Sequence, residues 1–357
     1  MTAHRTQIED DTNSLISSLV KERVTTYPRL CLALRNLILD EVSQDIQEDI
    51  LRLPEVVSAI RERIALYPVE RKASYEKVAG VDAGSQRVPL ASRWFAVIAA
   101  LVYQLPKAER YFNEPETIKL PYSFSGEKFH EIVSIRREAK LFETSVSFLK
   151  NRGAVDLILV DGPLAFGNWW ANKAEREDRS ALVSSVNSLL SLCEEKGIAV
   201  AGVVKRATAR YLIHYLGLCQ ITSLSDSFVL LQVLKPGQRT DIFSPSEALR
   251  RTMRAAPFMD RISHPVYSFY LRSSSHYLSP PIRIDLPKFM LASVDNLAGY
   301  CYSTAVREGI PLPIVKADEE VRVTKNFINE IYSELIPRLE GRFGDSSLAA
   351  GIWGGFE

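Results

Sequence analysis

The residues best placed to do chemistry in this chain are two aspartates, each carried by an apolar run. Residues 78–87 read V-A-G-V-D-A-G-S-Q-R, a short apolar run that reaches Asp82 and then meets Gly84 and Ser85. Residues 155–164 read V-D-L-I-L-V-D-G-P-L, a longer aliphatic run that reaches Asp161 and breaks at Gly162-Pro163. Both have the profile of a buried strand that delivers one acid to its end and then turns. On adjacent strands the two side chains would meet at one sheet edge. Crowded carboxylates repel unless a proton or a cation intervenes. Hard oxygen ligands suit Mg²⁺ or Mn²⁺, and such ions serve phosphoryl transfer by activating water and stabilising the leaving oxygen.

Other residues could complete such a site. A third acid is expected from the helix that precedes Asp161, where Glu138 and Glu143 both lie. Glu143 follows Phe142 near the inward stripe and is favoured; Glu138, in R-R-E-A, has arginines beside it to pair with and is held in reserve. Lys205 and Arg206 follow an apolar run directly, where a cation could hold a phosphate. Ordinary solvated charge is the commoner fate of such a pair. Asp285 alternates with Arg283 in P-I-R-I-D-L-P, which predicts an exposed strand face. Asp318, in K-A-D-E-E-V, stands where the last long helix would begin, a routine place for an N-terminal acid.

The elements that must position these residues form an alternating pattern. Residues 8–72 read as helix interrupted by Pro28, Pro54 and Pro68, with Thr12 or Asn13 as a cap. Strands are expected at 77–81, 93–105, 155–160 and 198–204, and helices at 127–150 and 179–196, the second stopped by Gly197. Further strands are expected at 228–234, 267–271 and 282–286, the last group antiparallel, and helices at 294–308 and 321–339. This predicts an α/β fold with sites at strand ends, preceded by an N-terminal helical arm over 1–72 and followed by a Gly-rich tail over 341–357.

Composition narrows the function classes. The chain has 357 residues, 46% of them hydrophobic and 24% charged, which is globular in character. The 44 Lys and Arg nearly balance the 43 Asp and Glu, so any polyanion site must be a local patch. Cys31, Cys193, Cys219 and Cys301 are far apart and form no C-x-x-C pair, which favours reduced thiols in a cytoplasmic protein. No apolar stretch reads as a leader or a membrane span. The Walker, dinucleotide, G-x-S-x-G and H-E-x-x-H motifs are absent, and the five histidines show no metal-ligand spacing.

Five segments in order resemble the NurA nuclease family: G-V-D-A-G-S at 80–85, R-R-E-A-K-L-F-E at 136–143, L-I-L-V-D-G-P-L at 157–164, G-V-V-K-R at 202–206 and I-P-L-P-I-V-K-A-D at 310–318. The resemblance runs from about residue 75 to 325 and lies in order and spacing rather than in one motif. It implies an RNase H-like mixed sheet flanked by helices over 73–340. It also implies a Mn²⁺-dependent DNA nuclease (Mg²⁺ being a second candidate), with 5′-3′ exonuclease and single-strand endonuclease activity. Such nucleases form dimers and work with the hexameric ATPase HerA in resecting double-strand breaks. Carried onto this chain, it makes Asp82, Glu143, Asp161 and Asp318 the metal ligands and Lys205 a supporting cation. Two departures stand out. Ala83 turns the family's D-G-S into D-A-G-S. In the last segment Ile310 stands at a Tyr position and Asp318 at a His position; Asp can replace His as an oxygen ligand. The alternative is a catalytically weak or inactive relative serving as a dimeric adaptor for a HerA-type translocase. A third possibility is another RNase H-like phosphotransferase, acting on RNA or a mobile element.

Overall fold

The alternation of apolar runs builds a mixed sheet with helices on both faces, seen in a computed structural model that describes residues 28–88, 93–152, 154–167, 176–253, 256–277, 279–306 and 308–343. The expected helix over 8–27 and the tail over 344–357 lie outside the described residues. The described residues fall into two compact units. The first comprises those up to Val56 together with Ile221–Ser223; the second comprises Val57–Gln220 and those from Leu224 onward. In the first unit, helix α1 (Pro28–Arg63, which continues into the second) supplies Asp49, whose carboxylate accepts from Ser223 N at 2.9 Å and Thr222 Oγ1 at 3.1 Å.

In the second unit the sheet has ten strands. They are β1 (Leu66–Pro68), β2 (Val78–Val88), β3 (Arg93–Leu105), β4 (Glu109–Phe112), β5 (Glu116–Pro121), β6 (Leu157–Asp161), β7 (Ala199–Val204), β8 (Gln238–Thr240), β9 (Val266–Arg272) and β10 (Ile282–Pro287). Their order is β1-β8-β9-β10-β7-β6-β2-β3-β4, and β5 also pairs with β3. Strands β2, β6 and β7 run parallel at the centre, flanked by the antiparallel β3 and β10. The near-continuous aliphatic runs of β6 and β7 follow from burial on both faces.

One face carries Val78, Leu157, Leu159, Ala201 and Val203, packed with Leu297 of α7 (Val294–Ser303) and Ile314 of α8 (Leu312–Val321). Ala96 and Ile98 of β3 pack instead with Phe129 and Ile132 of α2 (Gly126–Asn151). Ser125 caps α2 by accepting from Lys128 N. The remaining helices include α3 (Arg176–Lys196), α4 (Tyr211–Tyr215), α5 (Asp226–Val233), α6 (Pro245–Met253) and α9 (Lys325–Phe343).

Four sequence expectations are corrected. Gly84-Ser85 does not end β2, which pairs with β3 as far as Val88↔Phe95, so Asp82 lies mid-strand. The apolar run at 228–234 belongs to helix α5, because Ser225 accepts from Phe228 N and starts a helical turn. The last long helix, expected at 321–339, starts only at Lys325 as α9, and Asp318 lies within the separate helix α8 rather than at the start of α9. Asp285 is fully buried beside Arg283, not on an exposed face.

Candidate metal centre

Asp82, Asp161 and Asp318 each offer a carboxylate oxygen, and these atoms all lie within 4.8 Å of one another. The local sequence explains the convergence. Strand β2 pairs in parallel with β6 up to Val81↔Val160, so Asp82 and Asp161 are the next residues in step. The two-residue period of a strand puts Gly80, Asp82 and Gly84 on one face. That face meets α8: a Cβ at Gly80 would lie 2.1 Å from Pro313 O, and one at Gly84 would lie 2.5 Å from Val321 O. The two glycines let α8 lie flat along β2, and Asp318, between Pro313 and Val321, comes down beside Asp82. Ala83 of the D-A-G-S motif is buried and its side chain alternates to the other face.

Lys205, one residue past β7, places Nζ 2.5 Å from Asp161 Oδ2 and 3.2 Å from Asp318 Oδ1. Arg322, one turn beyond Asp318 on the same helical side, lies 2.6 Å from Asp318 Oδ2. Asp82 Oδ1 accepts from Ala83 N at 2.7 Å. A cleft of about 630 Å³ opens on the cluster and is lined by Asp161, Lys205, Arg206, Ile310, Asp318 and Arg322 among others.

The electrostatics are those of acids short of positive charge. Burial, followed by the neighbouring Asp161 carboxylate, raises the Asp82 pKa to about 8. Burial also raises that of Asp161, against the lowering effect of Lys205. For Asp318 the upward pull of burial is outweighed by Arg322 and Lys205, so its pKa is lowered. Burial alone would deprotonate Lys205 more easily, but Asp161 and then Asp318 reverse this and hold its ammonium charged.

Of the two helix acids, the structure brings Glu138 rather than Glu143 toward the cluster. Glu143 is more than a third exposed and lies 3.9 Å from Arg136 Nη1. Glu138 is buried, with Oε1 held 2.5 Å from Arg137 Nη2 and Oε2 without a hydrogen-bond partner among the described residues. Its Oε2 lies 3.3 Å from where a Cβ would stand on Gly162, next to Asp161. Five residues on a helix turn through roughly 140° beyond a full revolution, so 138 and 143 cannot face one site. The inward side is set by Phe129, Ile132 and Ile135, with which Glu138 is in step at three-residue spacing. That spacing was available in the sequence.

Three carboxylates within reach of one another, with a fourth buried oxygen left unpartnered nearby, form an oxygen-only donor set for a hard divalent cation. A model of the NurA domain matches residues 76–323, well over half of the chain. No curated protein matches. Among solved structures, the NurA nuclease from Sulfolobus solfataricus is similar over 84% of this chain and 97% of its own, with a TM-score of 0.58 at 17% identity. A further NurA structure covers 88% of this chain and 99% of its own (TM-score 0.54, 12% identity), and one of NurA with manganese covers 89% and 99% (TM-score 0.50, 13% identity). These likenesses confirm the mixed sheet flanked by helices. With the domain match spanning every segment from β2 to the end of α8, the chain belongs to the NurA family.

Proposed function

We propose that the chain is a divalent-metal-dependent DNA nuclease. The convergence of Asp82, Asp161 and Asp318 within 4.8 Å carries this reading. Asp82, Asp161 and Asp318 would hold the cation, with Glu138 in place of Glu143 as the fourth acid. The cation, Mn²⁺ or Mg²⁺, would supply an activated water and charge stabilisation at the leaving oxygen. Asp82, whose pKa burial and Asp161 raise to about 8, would hold the cation as its ionised carboxylate. Lys205 holds Asp161 and Asp318 in place and presents its charge to an incoming backbone phosphate. Arg206 and Arg322 line the same cleft and add to the positive charge of Lys205 there, beside Asp161, Glu308, Asp318 and Glu319.

Family membership supports the rest of the reading: 5′-3′ exonuclease and single-strand endonuclease action in end resection, a homodimer, and a HerA-type hexameric ATPase as partner. One observation favours a second reading. Lys205 already bridges two of the three acids, so an internal cation could keep the fold intact without a metal, as in a non-catalytic adaptor. Incubating the purified chain with labelled single- and double-stranded DNA in Mn²⁺, Mg²⁺ or EDTA separates the two. Metal-dependent cleavage lost in both Asp82→Ala and Asp161→Ala supports the nuclease. No cleavage in any metal supports the adaptor, and cleavage indifferent to both substitutions refutes the site. Light scattering and co-purification with a HerA-type ATPase test the assembly.

A further inference from the structure

A second charged cluster lies under the loop that leaves Asp161, and the proposed chemistry does not use it. Asp285 of β10 is completely buried and accepts five hydrogen bonds: from Leu164 N (3.1 Å), Ala165 N (3.0 Å), Ser268 Oγ (2.6 Å), Arg283 Nε (2.8 Å) and Arg283 Nη2 (3.1 Å). Two of these donors are backbone amides three and four residues past Asp161.

The sheet register explains the meeting. Asp285 pairs with Gly202 of β7. A Cβ at Gly202 would lie 2.6 Å from Gly162 O and 3.0 Å from Leu164 N, so the loop rests directly on β7 beside Asp285. The turn into the loop needs Gly162, whose φ of +149° is one that residues with a Cβ rarely adopt. Gly162 N in turn donates to Val203 O at 3.1 Å. Arg283, also buried, stacks 4.9 Å above the Tyr211 ring, and a Cβ on Gly167 would come 3.0 Å from the Tyr211 hydroxyl. The loop from Gly162 to Gly167 is therefore held by β7, β10 and α4 along its length.

Stability alone does not account for the ion pair, since apolar side chains of similar volume commonly replace a buried pair at no loss. What a carboxylate adds is acceptor capacity for several donors at one point, here two loop amides. We propose that the Arg283–Asp285 pair is a positioning device for Asp161, fixing the loop so that the Asp161 carboxylate stays where a divalent cation needs it. The inference rests on the reading of Asp161 as a metal ligand. Asp285 acts through the loop and is a positioning residue rather than a catalytic one.

The test uses the full chain with Mn²⁺ alone as the probe, free Mn²⁺ being counted by electron paramagnetic resonance and urea unfolding followed in parallel. Asp285→Ala leaves Arg283 buried without a counter-ion and is expected to lose both stability and Mn²⁺ affinity. The double variant Arg283→Met with Asp285→Leu removes charge on both sides. It is expected to unfold cooperatively and later than Asp285→Ala, yet to bind Mn²⁺ about 10–100-fold more weakly than wild type. Recovery of stability without recovery of affinity is the result a purely structural pair would not give. A double variant that binds Mn²⁺ like wild type, or that does not fold, overturns the proposal. A wild-type chain that fails to bind Mn²⁺ overturns the metal centre itself and this inference with it, which distinguishes the two failures.

Discussion

Two clusters of charged side chains sit near each other in sequence register along the sheet, and they solve opposite problems. At Asp82, Asp161 and Asp318, three acids share Lys205 and Arg322, stand at a cleft, and leave Asp82 with its pKa pushed up to about 8. At Asp285 and Arg283, charge is balanced one to one, five donors saturate the carboxylate, and both side chains are sealed from water. The first arrangement has more acids than cations and leaves room at a cleft for another. The second is complete as it stands. Neighbouring Asp226 is also sealed and rich in donors, accepting from Leu212 N, Ile213 N and the Tyr270 hydroxyl, although burial raises its pKa to about 6. Burial of an acid is thus no guide to its role; the ratio of acceptors to donors and cations around it is.

That contrast can be broken by experiment, and the largest effect falls on activity. Asp82→Ala or Asp161→Ala should lower metal-dependent cleavage by at least about a thousandfold, and Asp82→Ala should leave the urea midpoint unchanged or raised because it relieves acid crowding. In the sealed cluster the consequences reverse. Arg283→Met alone strands Asp285 and should cost about 3–5 kcal/mol in urea unfolding. A midpoint near wild type would mean that the cluster is not closed to water.

Packing of α8 against β2 gives a sharper, intermediate test. Gly80→Val drives a side chain into Pro313 O and should destabilise the fold by about 1–3 kcal/mol. It should also weaken Mn²⁺ binding by displacing Asp318; retained affinity would show that Asp318 is not a ligand. The pH dependence of the metal-free chain follows from Asp82. Its folded pKa of about 8 lies above the ordinary aspartate value of 3.8, so the folded state holds more protons between those values. Stability contributed by that proton is fully present at low pH and is lost as pH rises toward 8. The Asp82→Asn chain should lack this slope, a difference of about 1 kcal/mol or more between pH 5 and pH 8. The smallest effect is expected at Glu143. Its exposed contact with Arg136 predicts that Glu143→Gln changes stability by less than about 0.5 kcal/mol, with cleavage within twofold of wild type. Glu138→Gln should impair cleavage strongly, and the reverse ranking would restore Glu143 to the site.

Much of this arrangement was written in local pattern. The aliphatic runs of β6 and β7 and the amphipathic stripe of α2 mark strands and a helix because burial on one or both faces imposes a period. The Asp161-Gly162-Pro163 break marks a strand end because Gly162 must take a backbone conformation that few residues reach. Partnership across long sequence distances is not written that way. Asp318 reads as a helix acid, and only the bare backbone at Gly80 and Gly84 brings its helix against Asp82. Asp285 reads as an exposed acid because alternation with Arg283 looks like a solvated face, and only the loop from Gly162 lying across Gly202 buries it. The chain itself therefore marked most of its elements and, by residue pattern, two of its three converging acids, the third being reached only through the family resemblance. Which carboxylates crowd and which are neutralised was decided by packing, because the environment of a charge is set by whatever the fold lays against it.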